Sequence, residues 1–225
     1  MMEFLRSLDW SYLTNIIIRI LPALLCVTLH ELAHGYTAYR LGDDTAKLEG
    51  RLTLNPIKHI DPIGLISMLV FGFGWAKPVP VNMFNMREPK KGMAITALAG
   101  PAMNVFIAAV AFLLYGIMLA FLTTSRVYFA VLQLLLTTAY LSCAFAVFNL
   151  LPIPPLDGSK IFFSFLPNDK YLTLMRYERY GMIIMLVLVF TGAIDEPLTF
   201  FVNKLYYFLY NIAKFAFEIV VNIIY

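Results

Sequence analysis

The residues best suited to chemistry form a compact motif in the first long apolar stretch, His30-Glu31-Leu32-Ala33-His34. On a helix, residues four apart share a face, so both imidazoles can reach one metal ion. Glu31 is placed to hold a metal-bound water and act as general base. The pattern fixes only three positions, and the alternative is a hydrogen-bonded polar cluster between helices. Ionisable residues within an apolar helix of membrane length are costly, which favours the functional interpretation.

A catalytic zinc ion needs a third protein ligand and an open fourth position. The best candidate is Asp157, which follows three prolines in four positions, Pro152, Pro154 and Pro155. These prolines are expected to break a helix, and Gly158 permits a sharp turn, so the carboxylate can be directed inwards. The alternative is an ordinary proline-rich turn in which Asp157 caps the next helix.

Two further polar residues lie beside apolar stretches. Asn104, in Gly100-Pro-Ala-Met-Asn104, brings an amide just inside a predicted span. There it could bind a substrate backbone or orient a polarised carbonyl, or it could form a hydrogen bond between helices. His59 is the only histidine outside the motif. It could be an accessory ligand or a gate near the site, or else an interfacial residue or cap at the start of a membrane-inserted segment.

An apolar scaffold must position these residues. Of the 225 residues, 60% are hydrophobic and 14% are charged, whereas soluble domains carry about 25% charged residues. These numbers exclude a soluble globule, a disordered chain, a coiled coil, a disulfide scaffold and a nucleic-acid-binding protein. They predict an integral membrane protein. Cys26 and Cys143 lie in apolar stretches and are expected to be small core residues.

Four stretches approach the roughly 20 apolar residues that a transmembrane helix needs. They are residues 13–39, 102–122, 127–150 and 180–194. The last is short but can extend backwards over residues 172–177. Residues 198–225 place five polar side chains on one helical face, which predicts either an interfacial helix or a tilted span whose polar stripe faces protein. The expected fold is an all-α polytopic membrane protein with four to five transmembrane helices.

The cations predict how the spans are oriented. Segments 40–92 and 151–180 together carry 12 of the 17 lysines and arginines. The positive-inside rule places both segments in the cytoplasm and the amino terminus outside, with the candidate site near the cytoplasmic face. The first apolar stretch is too long for a signal-peptide core and is expected to be a retained span. We expect a multi-pass protein of a prokaryotic plasma membrane.

Residues 60–82, between the first two spans, predict a re-entrant segment. The stretch 63–71 is apolar but too short to cross a membrane, and helix-breaking glycines and prolines follow it. Two prolines restrict residues 76–81 to an edge-like extended strand. Non-helical backbone at membrane depth must lie against protein or a water-filled cavity. We therefore expect a re-entrant loop or β-hairpin beside a cavity.

Together these residues resemble the site-2 protease family of intramembrane zinc metalloproteases. Three family motifs match in order. HExxH is His30–His34, GxxxN is Gly100–Asn104, and NxxPxxxxDG is Asn149–Gly158. The resemblance extends over residues 29–159, more than half of the chain. The joint match is specific, unlike any one of the motifs alone.

The resemblance implies a zinc endopeptidase that uses one catalytic Zn²⁺. Its metal ligands would be His30, His34 and Asp157. Glu31 would be the general base. The substrates would be membrane-anchored proteins, such as regulators or remnant signal peptides, cleaved within or near a transmembrane segment.

The resemblance also implies how a substrate is held. Asn104 and Asn149 would lie at the substrate cleft, and the 60–82 segment would offer its edge to an extended substrate strand. Two rival functions are a catalytically silent zinc-binding scaffold that holds a partner helix and a small metal or proton transporter. The complete set of ligands with Glu31 disfavours the scaffold. The lone HExxH helix and the absence of paired half-repeats disfavour the transporter.

The whole chain, residues 1–225, is expected to form one membrane-embedded domain. Its core comprises residues 13–160, including the re-entrant segment 60–82, and accessory helices occupy residues 171–225. We see no room for a PDZ module or nucleotide-sensing domains, which some family members carry, so the chain resembles a minimal core member. The expected partners are the lipid bilayer and membrane-anchored substrates, not nucleic acid, and the oligomeric state is left open.

Overall fold

The computed structural model describes residues 10–71, 74–121 and 123–224. Within these ranges the chain forms eight helices and two short 3-10 turns, Pro56–His59 and Met83–Asn85. The helices are α1 (Trp10–Arg40), α2 (Thr45–Leu48), α3 (Pro62–Phe71), α4 (Pro89–Leu119), α5 (Arg126–Asn149), α6 (Asp157–Phe163), α7 (Asn168–Phe190) and α8 (Asp195–Ile224). The same ranges contain no strand. The predicted all-α class is confirmed for this part of the chain.

Three of the described helices, α4, α5 and α8, are long and apolar enough to cross a membrane. The predicted spans 102–122 and 127–150 lie largely on α4 and α5. The predicted first span, 13–39, lies within α1, which continues through its internal proline. The apolar part of α7, Tyr180–Phe190, is shorter than a membrane-crossing helix. The chain is thus a membrane protein, and the number of its spans stays a prediction.

The helices α1, α4 and α5 pack against one another at the centre of the bundle. Ala108, Ala139 and Cys143 are completely buried in these contacts, and small side chains allow membrane helices to approach closely. The Cys26 thiol lies 3.0 Å from the Ser142 hydroxyl and joins α1 to α5. Both cysteines are free and buried, as predicted for core residues.

The last helix, α8, lies along α4 and runs in the same direction. The Phe112 ring meets the rings of Tyr206 and Tyr210 at centroid distances of 4.9 and 5.6 Å. One turn further on, Gly116 faces the backbone of Ala213. A Cβ atom on Gly116 would lie 2.1 Å from the Ala213 carbonyl oxygen. Because the contacts advance together along both helices, the two helices are parallel and touch through a glycine.

The polar stripe of α8 lies opposite this contact. Val202, Leu209 and Ala213 are buried in the core that α8 shares with α4 and α5. The five polar residues are exposed, and they are Lys204, Asn211, Lys214, Glu218 and Asn222. The helix is long enough to span a membrane. The expectation that its stripe faces protein is therefore not met within this chain's own bundle.

A buried carboxylate organises the connection between α1 and α4. Asp43 is fully buried, and it accepts hydrogen bonds from Thr45, Asn82 and Asn85. Burial alone would raise the pKa of the Asp43 carboxyl, but these donors outweigh burial and hold the pKa below its usual value. Asp43 thus ties the end of α1 to the segment that precedes α4.

The segment 60–82 contains α3 and an extended stretch rather than a ladder of paired strands. One isolated antiparallel bridge joins Ile60 to Ala76. Pro78 and Pro80 follow this bridge and have no N–H to donate, which explains why the pairing does not continue. Residues 72–73, where we expect a helix break, lie outside the described residues. The re-entrant character of the segment stays a prediction.

Candidate metal centre

The imidazoles of His30 and His34 and the carboxylate of Asp157 converge on one point. His30 Nε2 lies 2.9 Å from His34 Nε2, and Asp157 Oδ2 lies 3.2 and 3.1 Å from these two nitrogens. Ligand atoms about 2.0–2.1 Å from a tetrahedral zinc ion stand roughly 3.3 Å apart. Asp157 Oδ2 is buried and lacks a conventional hydrogen-bond donor. The three atoms therefore have the chemistry and spacing of a zinc site.

The local structure of α1 and α6 explains this convergence. One helical turn separates His30 from His34, so both rings leave the same face of α1. Asp157 is the first residue of α6, whose N-cap position is Leu156 and carries no capping side-chain bond. The carboxylate therefore does not cap α6, and the proline-rich turn directs it at the histidines instead.

The second nitrogen of each histidine is held by α4. His34 Nδ1 lies 2.7 Å from the Thr96 carbonyl oxygen, so Nδ1 carries the proton and Nε2 is free to bind a metal ion. His30 Nδ1 lies 3.0 Å from the Asn104 amide nitrogen. If His30 also carries its proton on Nδ1, it needs an acceptor at this position, which the Asn104 oxygen can supply. In the structure that oxygen, Oδ1, is buried and has no partner. An amide turned by 180° places its oxygen where it accepts the His30 Nδ1 proton, and the amide oxygen and nitrogen are told apart only by their hydrogen bonds.

The close approach of α4 to the histidines depends on Gly100. A Cβ atom on this residue would lie 2.4 Å from His34 Nε2 and 2.6 Å from His30 Cε1. Any side chain at this position would collide with the ring atoms that face the metal position. The glycine and the asparagine of the GxxxN motif thus act together: Gly100 gives the rings room, and Asn104 contacts one of them.

The Glu31 carboxylate is held by a segment distant in the sequence. The Val79 N–H donates to Glu31 Oε2 at 2.8 Å, and Glu31 is half-buried. One carboxylate oxygen is thereby anchored by a backbone donor. Val79 could not be predicted from the sequence, because it acts through its backbone N–H, which nearly every residue type has.

The two remaining predicted residues have hydrogen-bond partners outside the group formed by His30, His34 and Asp157. The Asn149 amide donates to the Phe145 carbonyl oxygen, one turn back in α5. His59 is 1% exposed, and its Nε2 lies 2.9 Å from the Thr53 carbonyl oxygen. Among the described residues, the potential metal-binding group does not include His59. This contact favours the alternative in which His59 is a structural residue at the start of the 60–82 segment.

The family described as peptidase family M50 matches residues 117–192, a range that includes Asp157 but not the histidine motif. No solved structure matches the chain.

Three relatives match over larger parts of the chain. "Putative zinc metalloprotease YwhC" of Bacillus subtilis is 42% identical over 179 residues, which cover 76% of this chain and 80% of that protein. "Putative zinc metalloprotease Rip2" of Mycolicibacterium smegmatis is 33% identical over 210 residues, covering 88% and 75%. "Putative zinc metalloprotease MJ0611" of Methanocaldococcus jannaschii is 32% identical over 135 residues, covering 59% and 62%.

These similarities agree with the geometry. The Bacillus relative is matched over four fifths of its length, and the matched family is one of peptidases. The side chains that converge in the bundle are of the types that bind zinc. The chain therefore belongs to peptidase family M50, the site-2 proteases, and is a membrane zinc metallopeptidase.

Proposed function

We propose that this peptidase cleaves membrane-anchored proteins at a peptide bond within or beside a transmembrane segment. The observation that carries the proposal is the convergence of His30, His34 and Asp157 inside a bundle of apolar helices. At about 1.5 Å per residue, His34 lies roughly 9 Å along α1 from the cation at Arg40. A membrane-anchored chain is already held at such a depth, whereas a soluble substrate is not.

In this proposal His30, His34 and Asp157 hold one Zn²⁺, which lowers the pKa of a water molecule and polarises the scissile carbonyl. Glu31 accepts a proton from the attacking water. It then returns that proton to the leaving amine, so the carboxylate is regenerated in each cycle. The chain thus supplies three ligands and one proton carrier.

The substrate must unwind locally, because a helix engages its own carbonyl groups in internal hydrogen bonds. We assign Asn149 to the substrate cleft, where its amide can exchange the Phe145 carbonyl for a substrate carbonyl. Asn104 is fully buried and contacts His30. This contact supports a role in holding a ligand rather than in contacting the substrate.

The distribution of cations supports a site that opens towards the cytoplasm, with the amino terminus outside. Asp157 follows the carboxyl end of α5, where the backbone leaves the helix. The segment that follows this break, 151–180, and the connection 40–92 together carry 12 of the 17 lysines and arginines. Water is thus proposed to enter from the cytoplasmic end of the bundle.

The test uses purified, zinc-loaded protein and a panel of single-span substrates that differ in their transmembrane sequence. We expect wild type to cut a member of the panel and Glu31→Gln to cut it at least about 100-fold more slowly, as removal of a general base predicts. Glu218→Gln is the matched control, because Glu218 lies on the exposed face of α8. Its activity should equal that of wild type.

Three outcomes contradict the proposal. Equal cleavage by wild type and Glu31→Gln would show that Glu31 is not the general base. Failure of zinc-loaded wild type to cut any member of the panel, in cells or in detergent, would favour the catalytically silent scaffold. Metal uptake into proteoliposomes that needs His30 but not Glu31 would favour a transporter.

A further inference from the structure

The general base is oriented by an extended segment rather than by its own helix. Val79 is 6% exposed, and its N–H reaches Glu31 Oε2 across 48 positions of sequence. Because a carboxylate turns freely about its last side-chain bond, this hydrogen bond selects one orientation. The position of Val79 therefore governs which way the second oxygen of Glu31 faces.

The segment around Val79 cannot hold itself in place by strand pairing. The residues on either side of Val79, Pro78 and Pro80, have no N–H groups. The Lys77 N–H donates to the His59 carbonyl oxygen at 2.9 Å, next to the isolated bridge. Beyond that point the segment offers mainly carbonyl oxygens, which need a donor from elsewhere.

Arg51 supplies that donor. Its Nη2 donates to the Lys77 carbonyl oxygen at 2.9 Å and to the Pro78 carbonyl oxygen at 3.2 Å. Arg51 is only 7% exposed, and no carboxylate among the described residues forms an ion pair with it. A buried guanidinium normally has a carboxylate partner. Here its charge is directed at the two peptide groups immediately before Val79.

The backbone before Arg51 fixes the direction of its side chain. The short helix α2 ends at Leu48, its C-cap is Glu49, and Gly50 follows with a φ of +62°. Arg51 N–H then donates to the Ala46 carbonyl oxygen at 2.8 Å, and Gly50 N–H to that of Lys47 at 3.0 Å. This pair of bonds is a Schellman motif, which locks the chain at a helix end. The backbone that carries the Arg51 side chain is therefore held in place by two hydrogen bonds.

We propose that Arg51 is a positioning residue for proteolysis. It holds the carbonyls of Lys77 and Pro78, so that the Val79 N–H keeps Glu31 Oε2 and leaves Oε1 for the attacking water. The inference rests on the proposed function through the role of Glu31. It adds that the base depends on a cation outside the metal motif.

The test compares Arg51→Met, which keeps the apolar stem without donors, with Arg51→Lys, which keeps one charged donor. We expect Arg51→Met to lower kcat by about 10- to 100-fold, as misplacement of a catalytic group predicts, with KM changed by less than about twofold. Arg51→Lys should recover part of kcat. Zinc should stay at one ion per chain, because Arg51 contacts none of the ligands.

A second readout follows the segment directly. Hydrogen exchange at the Lys77 and Val79 amides should be about tenfold faster in Arg51→Met than in wild type. Replacing the Val79 amide by an ester removes its N–H and also weakens the Pro78 carbonyl as an acceptor for Arg51, so it should lower kcat as Arg51→Met does. Lys58→Met, at an exposed cation in the same connection, serves as the control with near-normal kcat.

The outcomes separate this inference from the proposed function. If Glu31→Gln is inactive but Arg51→Met and the Val79 ester have the kcat of wild type, the positioning role is wrong and the function stands. If Glu31→Gln is fully active, the proposed function is wrong, and the positioning role of Arg51 is wrong with it. If Arg51→Met loses zinc, its low kcat no longer tests the positioning role. The kcat of the Val79 ester then decides, and a normal value overturns the inference.

Discussion

At the residue scale, each histidine of the candidate site contacts a residue of α4 that lies outside the proposed ligand set. His30 and His34 present Nε2 to the metal position, while their Nδ1 atoms meet Asn104 and Thr96 of α4. Such partners fix the tautomer and the ring orientation. The Thr96 contact uses a backbone carbonyl, which no side-chain substitution removes. Asn104 is therefore the partner whose contribution can be measured.

Asn104→Ala is expected to weaken zinc binding by about 10- to 100-fold, the usual cost of losing such a partner. The cause is that His30 is then free to rotate and to adopt the other tautomer. Asn104→Asp should retain more affinity, because its carboxylate accepts a hydrogen bond from Nδ1. Competition with a chromophoric chelator measures the affinity.

Asn211→Ala, on the exposed face of α8, is the control for Asn104→Ala and should bind zinc like wild type. Unchanged zinc affinity in Asn104→Ala would contradict the supporting role. A raised KM at unchanged zinc affinity would instead indicate that Asn104 contacts the substrate, as the family resemblance implies.

At the scale of elements, α4 organises the bundle because it has two contact faces. One face approaches α1 at Gly100, and another approaches α8 at Gly116. The two glycines lie more than four turns apart, so the metal face and the α8 face can be perturbed separately. The helix α8 contributes no ligand to the described metal group.

Gly116→Val is expected to destabilise the protein by about 1–3 kcal/mol, because overpacking forces the two backbones apart. The added Cβ would meet the Ala213 carbonyl oxygen at 2.1 Å. A lower midpoint of thermal unfolding in detergent is the measurement. Zinc content should not change.

Leu113→Val is the control for Gly116→Val, since Leu113 lies on α4 and is 41% exposed. It should unfold like wild type. Loss of zinc in Gly116→Val would show that α8 supports the metal site, contrary to the separation of the two faces.

At the scale of the whole molecule, the candidate metal site joins parts of the chain that are far apart in sequence. His30 belongs to the first described helix, and Asp157 begins the sixth. A ligand that binds the folded state and not the unfolded state stabilises the fold in proportion to its affinity. Zinc is therefore expected to stabilise the assembly of α1 with α6.

Removal of zinc with a strong chelator should lower the midpoint of thermal unfolding. It should also make the proline-rich turn at residues 150–156 easier for an added protease to cut, because the Asp157 carboxylate then loses its partner. Asp157→Ala provides the control, since the chelator should cause little further change in that variant. An equal chelator effect in both proteins would mean that Asp157 is not a ligand.

Several of these features could be predicted from the sequence because they are local. The spacing of His30 and His34 is a property of one helix, and the prolines before Asp157 predict a helix break wherever it lies. Arg51 could not be predicted, because in sequence it is one of many cations between two spans. Its burial depends on the path of residues 77–79, which only tertiary contacts determine. The outward polar face of α8 likewise depends on which neighbour that helix meets.

The order of the ligands along the chain has a consequence for biosynthesis. The histidines are made early, while Asp157 appears only after α4 and α5 have been synthesised. With the proposed ligand set, a ribosome-bound chain shorter than 157 residues has two ligands, fewer than the three of a typical catalytic zinc site. We therefore expect the nascent chain to be inert while its own helices are being inserted, and to become active only after Asp157 has been synthesised.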